Sequence, residues 1–258
     1  MFSVINIGAN GINVQSQVLN AVSSNIANAN TAGYGEQVTT TGSMASTAVR
    51  AANVTLANQV LGPPLNLVPG TTLVSEVPEF GQGIISSTIG SNLAIDGNGF
   101  FTVSLPGGQL AYTRAGNFTL DANGQLVLPT GARLYPPINI PLGDSYTVES
   151  DGAVMVSRAG STPAKAAQIQ LAMIPNPQGL LGIGNTLFTL SAASGPATLV
   201  NPGTPNAGTL VSGALNQSSA IMTDNLVNLV QAETLYGLNA RVVSVGETVA
   251  KTTTNIQV

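Results

Sequence analysis

Few side chains in this sequence have the types and spacing that chemistry requires. Asp144, Glu149 and Asp151 lie close enough along the chain to be the carboxylate pair of a glycoside-cleaving site. They surround a predicted turn, where solvated carboxylates are ordinary, and none is assigned a catalytic role. Asp121-Ala122-Asn123-Gly124 opens like a calcium loop, but the position where an EF-hand needs its bidentate Glu is Ala132. Gly81, Gly83, Gly97 and Gly99 never complete Gly-x-Gly-x-x-Gly, and no Gly-Lys-Ser follows a glycine-rich turn. His and Cys are absent, which removes the imidazole base, the thiol nucleophile and the usual zinc ligands. The expectation is a protein that is not an enzyme, with no catalytic, cofactor-binding or metal-binding residues.

The remaining polar chemistry is that of neutral amides. Residues 23–34 read Ser-Ser-Asn-Ile-Ala-Asn-Ala-Asn-Thr-Ala-Gly-Tyr. Asn25 and Asn28 share a helical face and can hydrogen-bond a neighbouring backbone without carrying charge. Asn30, Thr31 and Gly33 follow, residue types that tolerate a sharp exit from a helix. For any one asparagine an ordinary polar helix end explains the choice equally well.

The element that positions this exit is a predicted helix over residues 4–29. Ile5, Ile12, Leu19 and Ile26 repeat every seven residues, with Ile7, Val14 and Ala21 on a second track, as suits a helix facing another helix. It would be about 40 Å long at 1.5 Å per residue. The first charge in the chain is Glu36, and Gly8 and Gly11 each weaken a helix by roughly 1 kcal/mol relative to Ala. Such a segment is expected to become helical only when neighbours pack it.

Charge is scarce everywhere. Charged residues are 7% of the 258, against roughly a quarter in an ordinary soluble protein. So few charges suit a surface of uncharged polar groups or one covered by other subunits. Seven basic residues spread over the chain make no nucleic-acid patch. No window holds the ~18 unbroken apolar residues of a membrane span, and the N-terminus lacks the basic leader of a cleavable signal peptide.

Residues 55–61 are read as an extended piece or short helix, and the Pro- and Gly-rich residues 62–70 as an extended arm. Residues 74–78 and 84–89 are predicted strands. From Asn92 onward, turn signals recur about every ten residues between β-rich runs, indicating an antiparallel sandwich or barrel. Predicted strands there include 100–103, 110–114, 118–120, 125–128, 146–148, 153–156, 168–173 and 187–190. Residues 194–208 form a Gly- and Pro-rich return, and residues 216–252 turn helical again. Asp224 suits the first turn of that helix. Met222, Leu226, Leu229, Val230, Tyr236 and Ala240 make one apolar stripe, and Val227, Leu235, Leu238, Val242, Val245 and Val249 another, so two partners are expected. Glu233 lies within the first stripe, with Arg241 or Lys251 of a neighbouring helix as its expected companion. The fold class is therefore mixed α and β: N- and C-terminal helices pairing as a coiled-coil-like domain, an extended arm, and a central antiparallel all-β domain. The boundaries are 1–35 with 216–258, 36–91 with 191–215, and 92–190.

Asn25-Ile26-Ala27-Asn28-Ala29-Asn30-Thr31-Ala32-Gly33-Tyr34 resembles the N-terminal signature of the bacterial flagellar axial proteins, which build rod, hook and hook-filament junction. The similarity continues through Asp96-Gly97-Asn98-Gly99-Phe100-Phe101, Tyr112-Thr113-Arg114-Ala115-Gly116-Asn117-Phe118, Gly213-Ala214-Leu215-Asn216 and Tyr236-Gly237-Leu238-Asn239-Ala240-Arg241. Three departures remove charge: Gly35 stands where the family has a basic residue, Asn216 where it has Glu, and Leu235 and Gly237 flank Tyr236. The resemblance implies a structural subunit of the rod, most like its distal part, assembling into a helical tube that transmits torque. A proximal rod or hook protein is the alternative, and a secreted β-rich fibre or adhesin a more distant one. Implied partners are copies of itself, other rod proteins, the hook protein, the surrounding L and P ring proteins and the flagellar type III export apparatus, with no nucleic acid and no membrane insertion. The implied location is the periplasmic rod, reached without a cleavable signal peptide. Residues expected to pack subunits are Ile5, Ile12, Leu19, Asn25, Ile26, Asn28, Thr31, Gly33, Tyr34, Leu226, Leu229, Tyr236 and Asn239.

Overall fold

The computed structural model describes residues 2–50, 53–54, 60–62, 65–67, 70–81, 83, 85–87, 91–141, 143–158 and 162–256. The chain begins with helix α1 (Phe2–Ala27) and ends with helix α2 (Met222–Ile256), and strands occupy much of what lies between. Two compact units divide it. One comprises residues 1–24, 38–76 and 223–258, the other residues 25–37 and 77–222.

In the first unit the two helices pack together, and the contact is made where side chains are smallest. A Cβ at Gly8 would stand 2.7 Å from Val243 Cγ2, one at Gly11 2.5 Å from Asn239 Oδ1, and one at Gly246 2.8 Å from Ile5 Cγ1. As the α1 number rises the α2 number falls, so the helices run antiparallel. Gly8 and Gly11, which cost α1 helix propensity, are the residues that let it approach α2. Val14, Ala21 and Val22 are the most buried apolar residues of α1, whereas Ile5, Ile12, Leu19 and Ile26 are half-buried. The sequence pattern gave the seam two tracks, and Val14 and Ala21 belong to the second. The second track carries the deeper burial because Val14 and Ala21 fit beneath close neighbours. α2 follows the same rule: Asn225, Ala232 and Gly246 are buried, while both of its predicted apolar stripes lie largely exposed.

A ribbon of Glu36–Ser43 and Thr71–Glu79 is the longest strand pair outside the central region. Of residues 55–61, expected as an extended piece or short helix, 55–59 lie outside the described residues, and Val60–Gly62 is a strand paired with Asn53–Val54. Residues 63–64 and 68–69 of the expected arm also lie outside, as do 84 and 88–89 around the strand Ile85–Ser87. Leu65–Leu67 pairs with Thr47–Arg50.

The second unit holds an antiparallel β-rich region. Its largest sheet runs Thr119–Leu120, Leu126–Val127, Arg133–Leu134, Phe100–Ser104, Leu110–Thr113, Leu187–Thr189, Leu181–Gly184, and Leu171–Met173 joins Phe100–Ser104 to Thr198–Val200. Ser145–Val148, Ala153–Ser157 and Ala164–Gln168 form a three-stranded sheet. Residues 168–173, predicted as one strand, break between the last of these and Leu171–Met173. Strand alternation sends neighbouring aromatics to opposite faces. Phe101 joins Phe118, Ile95 and Leu171 in the main core, and Phe100 joins Tyr112 and Phe188 in a second. The rings meet edge to face, Phe101 with Phe118 at 5.2 Å and Phe80 with both Phe100 and Phe188 at 4.9 Å. Thr209–Ser212, just after the Gly- and Pro-rich return, pairs with Leu93–Asp96, and Ala214–Asn216 pairs with Ile85–Ser87. Helix α2 begins only at Met222, because Ala214–Asn216 is used as a strand.

Gly116 binds the Leu93 N–H through its carbonyl at 2.9 Å, and a Cβ on Gly116 would stand 1.7 Å from the Leu93 carbonyl oxygen. Backbone cannot yield as a side chain can. Gly116→Ala is therefore expected to cost at least ~2 kcal/mol, lowering the melting temperature of the β region by about 4–8 °C, as differential scanning calorimetry would show.

Candidate functional site

The amide-rich stretch closes α1 and forms a polar junction within the second unit. Asn25, in the last turn of the helix, is 2% exposed. Its Oδ1 accepts the Gln37 backbone N–H at 2.8 Å and the Tyr34 hydroxyl at 3.1 Å, and its Nδ2 donates to the Gln37 carbonyl at 3.0 Å. One side chain thus satisfies both backbone groups of a strand residue, as an adjacent strand would. Asp could accept these bonds but not donate one.

Asn28 works inside the turn. Its carbonyl accepts the Thr31 N–H at 2.9 Å and its Oδ1 the Thr31 hydroxyl at 3.2 Å. The chain then passes Gly33 at φ +66°, where a Cβ would lie 2.2 Å from the backbone nitrogen of Ala115. Only glycine meets both demands, the left-handed angle and the close approach. The Gly33 N–H donates to the Asn216 carbonyl at 3.0 Å.

Asn216 repeats the device. It is 1% exposed, accepts the Ile95 N–H at 2.7 Å and donates to the Ile95 carbonyl at 2.9 Å. Ser219 completes the junction. Its N–H donates to the Tyr34 carbonyl at 3.0 Å, its Oγ accepts the Glu36 N–H at 2.8 Å, and its hydroxyl lies 3.0 Å from the Glu79 carbonyl it can donate to.

Arg114 anchors the same junction from below Gly33. It is 5% exposed, and its guanidinium donates to the carbonyls of Gly99 at 3.2 Å, Gly81 at 3.1 Å, Phe80 at 3.4 Å and Gly97 at 2.5 Å. Its Cζ lies 5.6 Å from the centroid of the Phe100 ring, within cation–π range. Burial pushes its pKa below that of a free arginine. The fixed fork of donors lets one side chain gather four turn carbonyls.

The carboxylates weighed for chemistry hold turns and strand ends. Asp121 accepts the backbone N–H groups of Asn123 and Gln125, both at 2.8 Å. The Gln125 bond foremost, with Asn123 and the charge of Arg133, holds its carboxyl below the usual range despite partial desolvation. Asp151 accepts the Ala153 N–H at 2.9 Å, and Asp144 pairs with Arg158 at 3.3 Å. Among the described residues no three acidic side chains converge to hold a metal ion.

Of the residues singled out for packing, Asn25, Ile26, Asn28, Thr31, Gly33 and Tyr34 fall in the second unit, and Ile5, Ile12, Leu19, Leu226, Leu229, Tyr236 and Asn239 in the first. Leu226 and Tyr236 are exposed, Leu229 is half-buried, and Asn239 donates back to the Leu235 carbonyl at 2.9 Å. Glu233 is exposed and makes no ion pair among the described residues. Arg114, Asn216 and Ser219 were not singled out as site residues. The available signal for Arg114 was its rarity: one of seven basic residues, set at the end of an apolar strand.

Terminal helices flanking an antiparallel β region, with a neutral amide junction at the helix exit, define a flagellar axial protein. Residues 5–34 match the family model described as "Flagella basal body rod protein", and residues 94–156 that described as "Flagellar hook protein FlgE/F/G D1 domain". The flagellar basal-body rod protein FlgG of Caulobacter vibrioides is 33% identical over 96% of this chain and 97% of its own. That of Buchnera aphidicola subsp. Acyrthosiphon pisum is also 33% identical, over 93% and 94%. The flagellar hook protein FlgE of Salmonella typhimurium is 28% identical over 66% of this chain and 45% of its own. The chain belongs to the FlgG family of flagellar basal-body rod proteins.

Asn25→Ala strands the Gln37 N–H and carbonyl and the Tyr34 hydroxyl. It is expected to cost about 2–3 kcal/mol and to speed hydrogen exchange at the Gln37 amide, measured by NMR, while amides of Phe100–Ser104 exchange as before. Asp121 has a lowered folded-state pKa, so its contribution is present above the usual carboxylate range and is lost as pH falls through the folded value. The stability difference between wild type and Asp121→Asn, followed by urea unfolding across acidic pH, is expected to shrink toward the acid end.

Proposed function

We propose that this chain is a structural subunit of the bacterial flagellar basal-body rod, its copies assembling through their terminal helices into a helical tube that carries torque. The observation that carries the reading is the surface of α2. Leu226, Val230, Leu238 and Val245 are 46, 62, 51 and 62% exposed, on a helix that meets its own α1 through Asn239, Val243 and Gly246. A helix apolar on most of its circumference requires partners on several sides. The near full-length similarity to rod proteins supports the rod as the assembly that supplies them.

In this reading α1 and α2 form a coiled-coil-like assembly domain in which Ile5, Ile12 and Leu19 set the spacing. The 36–91 and 191–215 segments serve as a connecting arm. The Asn25, Asn28, Thr31, Gly33 and Tyr34 exit, with Ile26, fixes where the chain leaves the helix. A contact that joins different faces of successive copies and does not close yields a filament. The position is the distal rod in the periplasm, with neighbouring rod proteins, the hook protein and the L and P rings as partners. Delivery is by the flagellar export apparatus.

Basal bodies isolated from a strain deleted for this gene and viewed by negative-stain microscopy test the reading. Truncated rods without outer rings and hook are expected. Rods missing from the inner-membrane ring onward would move the assignment to the proximal rod, complete rods without hook to a hook protein, and intact basal bodies would sink it. Leu238→Asp with Val245→Asp is expected to leave the circular dichroism spectrum and melting temperature of the chain within experimental scatter, because both side chains are exposed, yet to yield no rods.

A further inference from the structure

One cavity of the second unit is lined by a buried cation that no described acid neutralises. It holds about 240 Å³ between Phe80, Phe100, Met173 and Pro175, and Asn98, Gly99 and Arg114 form its polar wall. Gly99 and Arg114 are buried, whereas Asn98 is exposed, so the cavity opens to solvent. Carbonyl oxygens solvate the guanidinium with partial charges and leave its formal charge uncancelled. No acidic side chain pairs with Arg114 among the described residues, and burial alone lowers its pKa.

Three groups of that wall have hydrogens to give. A guanidinium carries five N–H donors. The four carbonyl bonds of Arg114 use Nε, Nη1 twice and Nη2 once, which leaves one N–H of Nη2. The Gly99 N–H makes no hydrogen bond among the described residues, although the Gly99 carbonyl accepts from Arg114. A buried backbone N–H without a partner is rare and calls for an explanation. Asn98 spends its carbonyl on the Gly208 N–H at 2.7 Å, and its side-chain amide has no partner among the described residues.

We infer that this cavity binds a carboxylate carried on a short hydrocarbon body, its oxygens taken by Arg114, the Gly99 N–H and the Asn98 amide. Water would satisfy the N–H groups but leave the cation without a counter-charge. Phosphate would turn its further oxygens toward Phe80, Phe100 and Met173 and lose their hydration there, whereas a carboxylate turns carbon toward them. The fork of Arg114 is already fixed by its four carbonyls, so binding spends little of its rotamer freedom. The acid is either free in solution or the side chain of an Asp or Glu on another protein, since both present the same group. The site lies within the second unit and does not depend on the rod reading.

Sodium butyrate, glutamate blocked as its N-acetyl α-methylamide, and sodium phosphate are titrated separately, at constant ionic strength, into the isotope-labelled full-length chain. NMR follows the Gly99 amide and the Arg114 Nε–H. Saturable shifts of both signals are expected with the two carboxylates, and phosphate is expected to bind about tenfold more weakly. Tighter binding of the blocked glutamate than of butyrate assigns the site to an acidic side chain, and the reverse order to a free acid. Asn98→Leu removes one donor and touches no bond of the fold; it is expected to weaken butyrate about fivefold with an unchanged melting temperature. No shift with either carboxylate would leave water in the cavity and overturn the inference. Phosphate binding as tightly as butyrate would overturn the choice of a carboxylate, and an Asn98→Leu affinity equal to wild type would overturn the three-donor site.

Discussion

The amide of Asn25 is the contact on which the helix exit depends. Where α1 ends and the strand after it begins, the buried side chain of Asn25 pairs both the N–H and the carbonyl of Gln37. An unpaired buried backbone group costs about 1–3 kcal/mol, and here two must be met by one side chain. A neutral amide supplies a donor and an acceptor in the space of a carboxylate without the desolvation cost of a charge. Asn216 meets the same demand at Ile95, and the Gly33 N–H reaches the Asn216 carbonyl, so the two clamps are joined through a single backbone bond. Gly33 can make that bond only because nothing projects from it toward Ala115. The direction in which the chain leaves the helix is therefore set by two amides and a missing methyl group.

Neutrality runs through the molecule at every level. Arg114, the one buried cation among the described residues, is solvated by the carbonyls of glycine-rich turns and by an aromatic face rather than by an acid. Asp121 and Asp151 cap backbone N–H groups. A surface meant to meet other protein over long stretches gains from carrying few charges, since each would have to be desolvated or matched.

Much of this was legible in the sequence. The two helices, the turn glycines and the main strands announced themselves through periodicity and punctuation, and the asparagine run at residues 25–30 marked the junction correctly. The two tracks of the heptad did not say which is deeper, because burial within one chain is decided by how near another backbone can come. Gly8, Gly11 and Gly246 decide that, and a sequence pattern counts them as weaknesses. The start of α2 was misplaced because Ala214–Asn216 has helix-compatible residues but is held by Ile85–Ser87 as a strand. The role of Asn216 was hidden for a related reason. Its partner Ile95 is 121 residues away, and only the fold brings them together.

The residues of α2 divide by position: Asn239, Val243 and Gly246 meet its own α1, while Leu235, Leu238 and Val245 stand exposed. The helices come close because Gly8, Gly11 and Gly246 carry no side chain. Each exposed Leu or Val is worth about 1.5–3 kcal/mol on full burial and, already half-covered, about half of that on assembly. Over five such residues the contribution reaches several kcal/mol, comparable with the whole stability of a small domain. Binding that favours only the folded, neighboured state stabilises it by mass action. In the rod reading proposed above, neighbouring copies cover these exposed residues and each helix gains stability on assembly. A chain whose own contacts were optimised with leucine would reverse this, giving a stable monomer with nothing left to join.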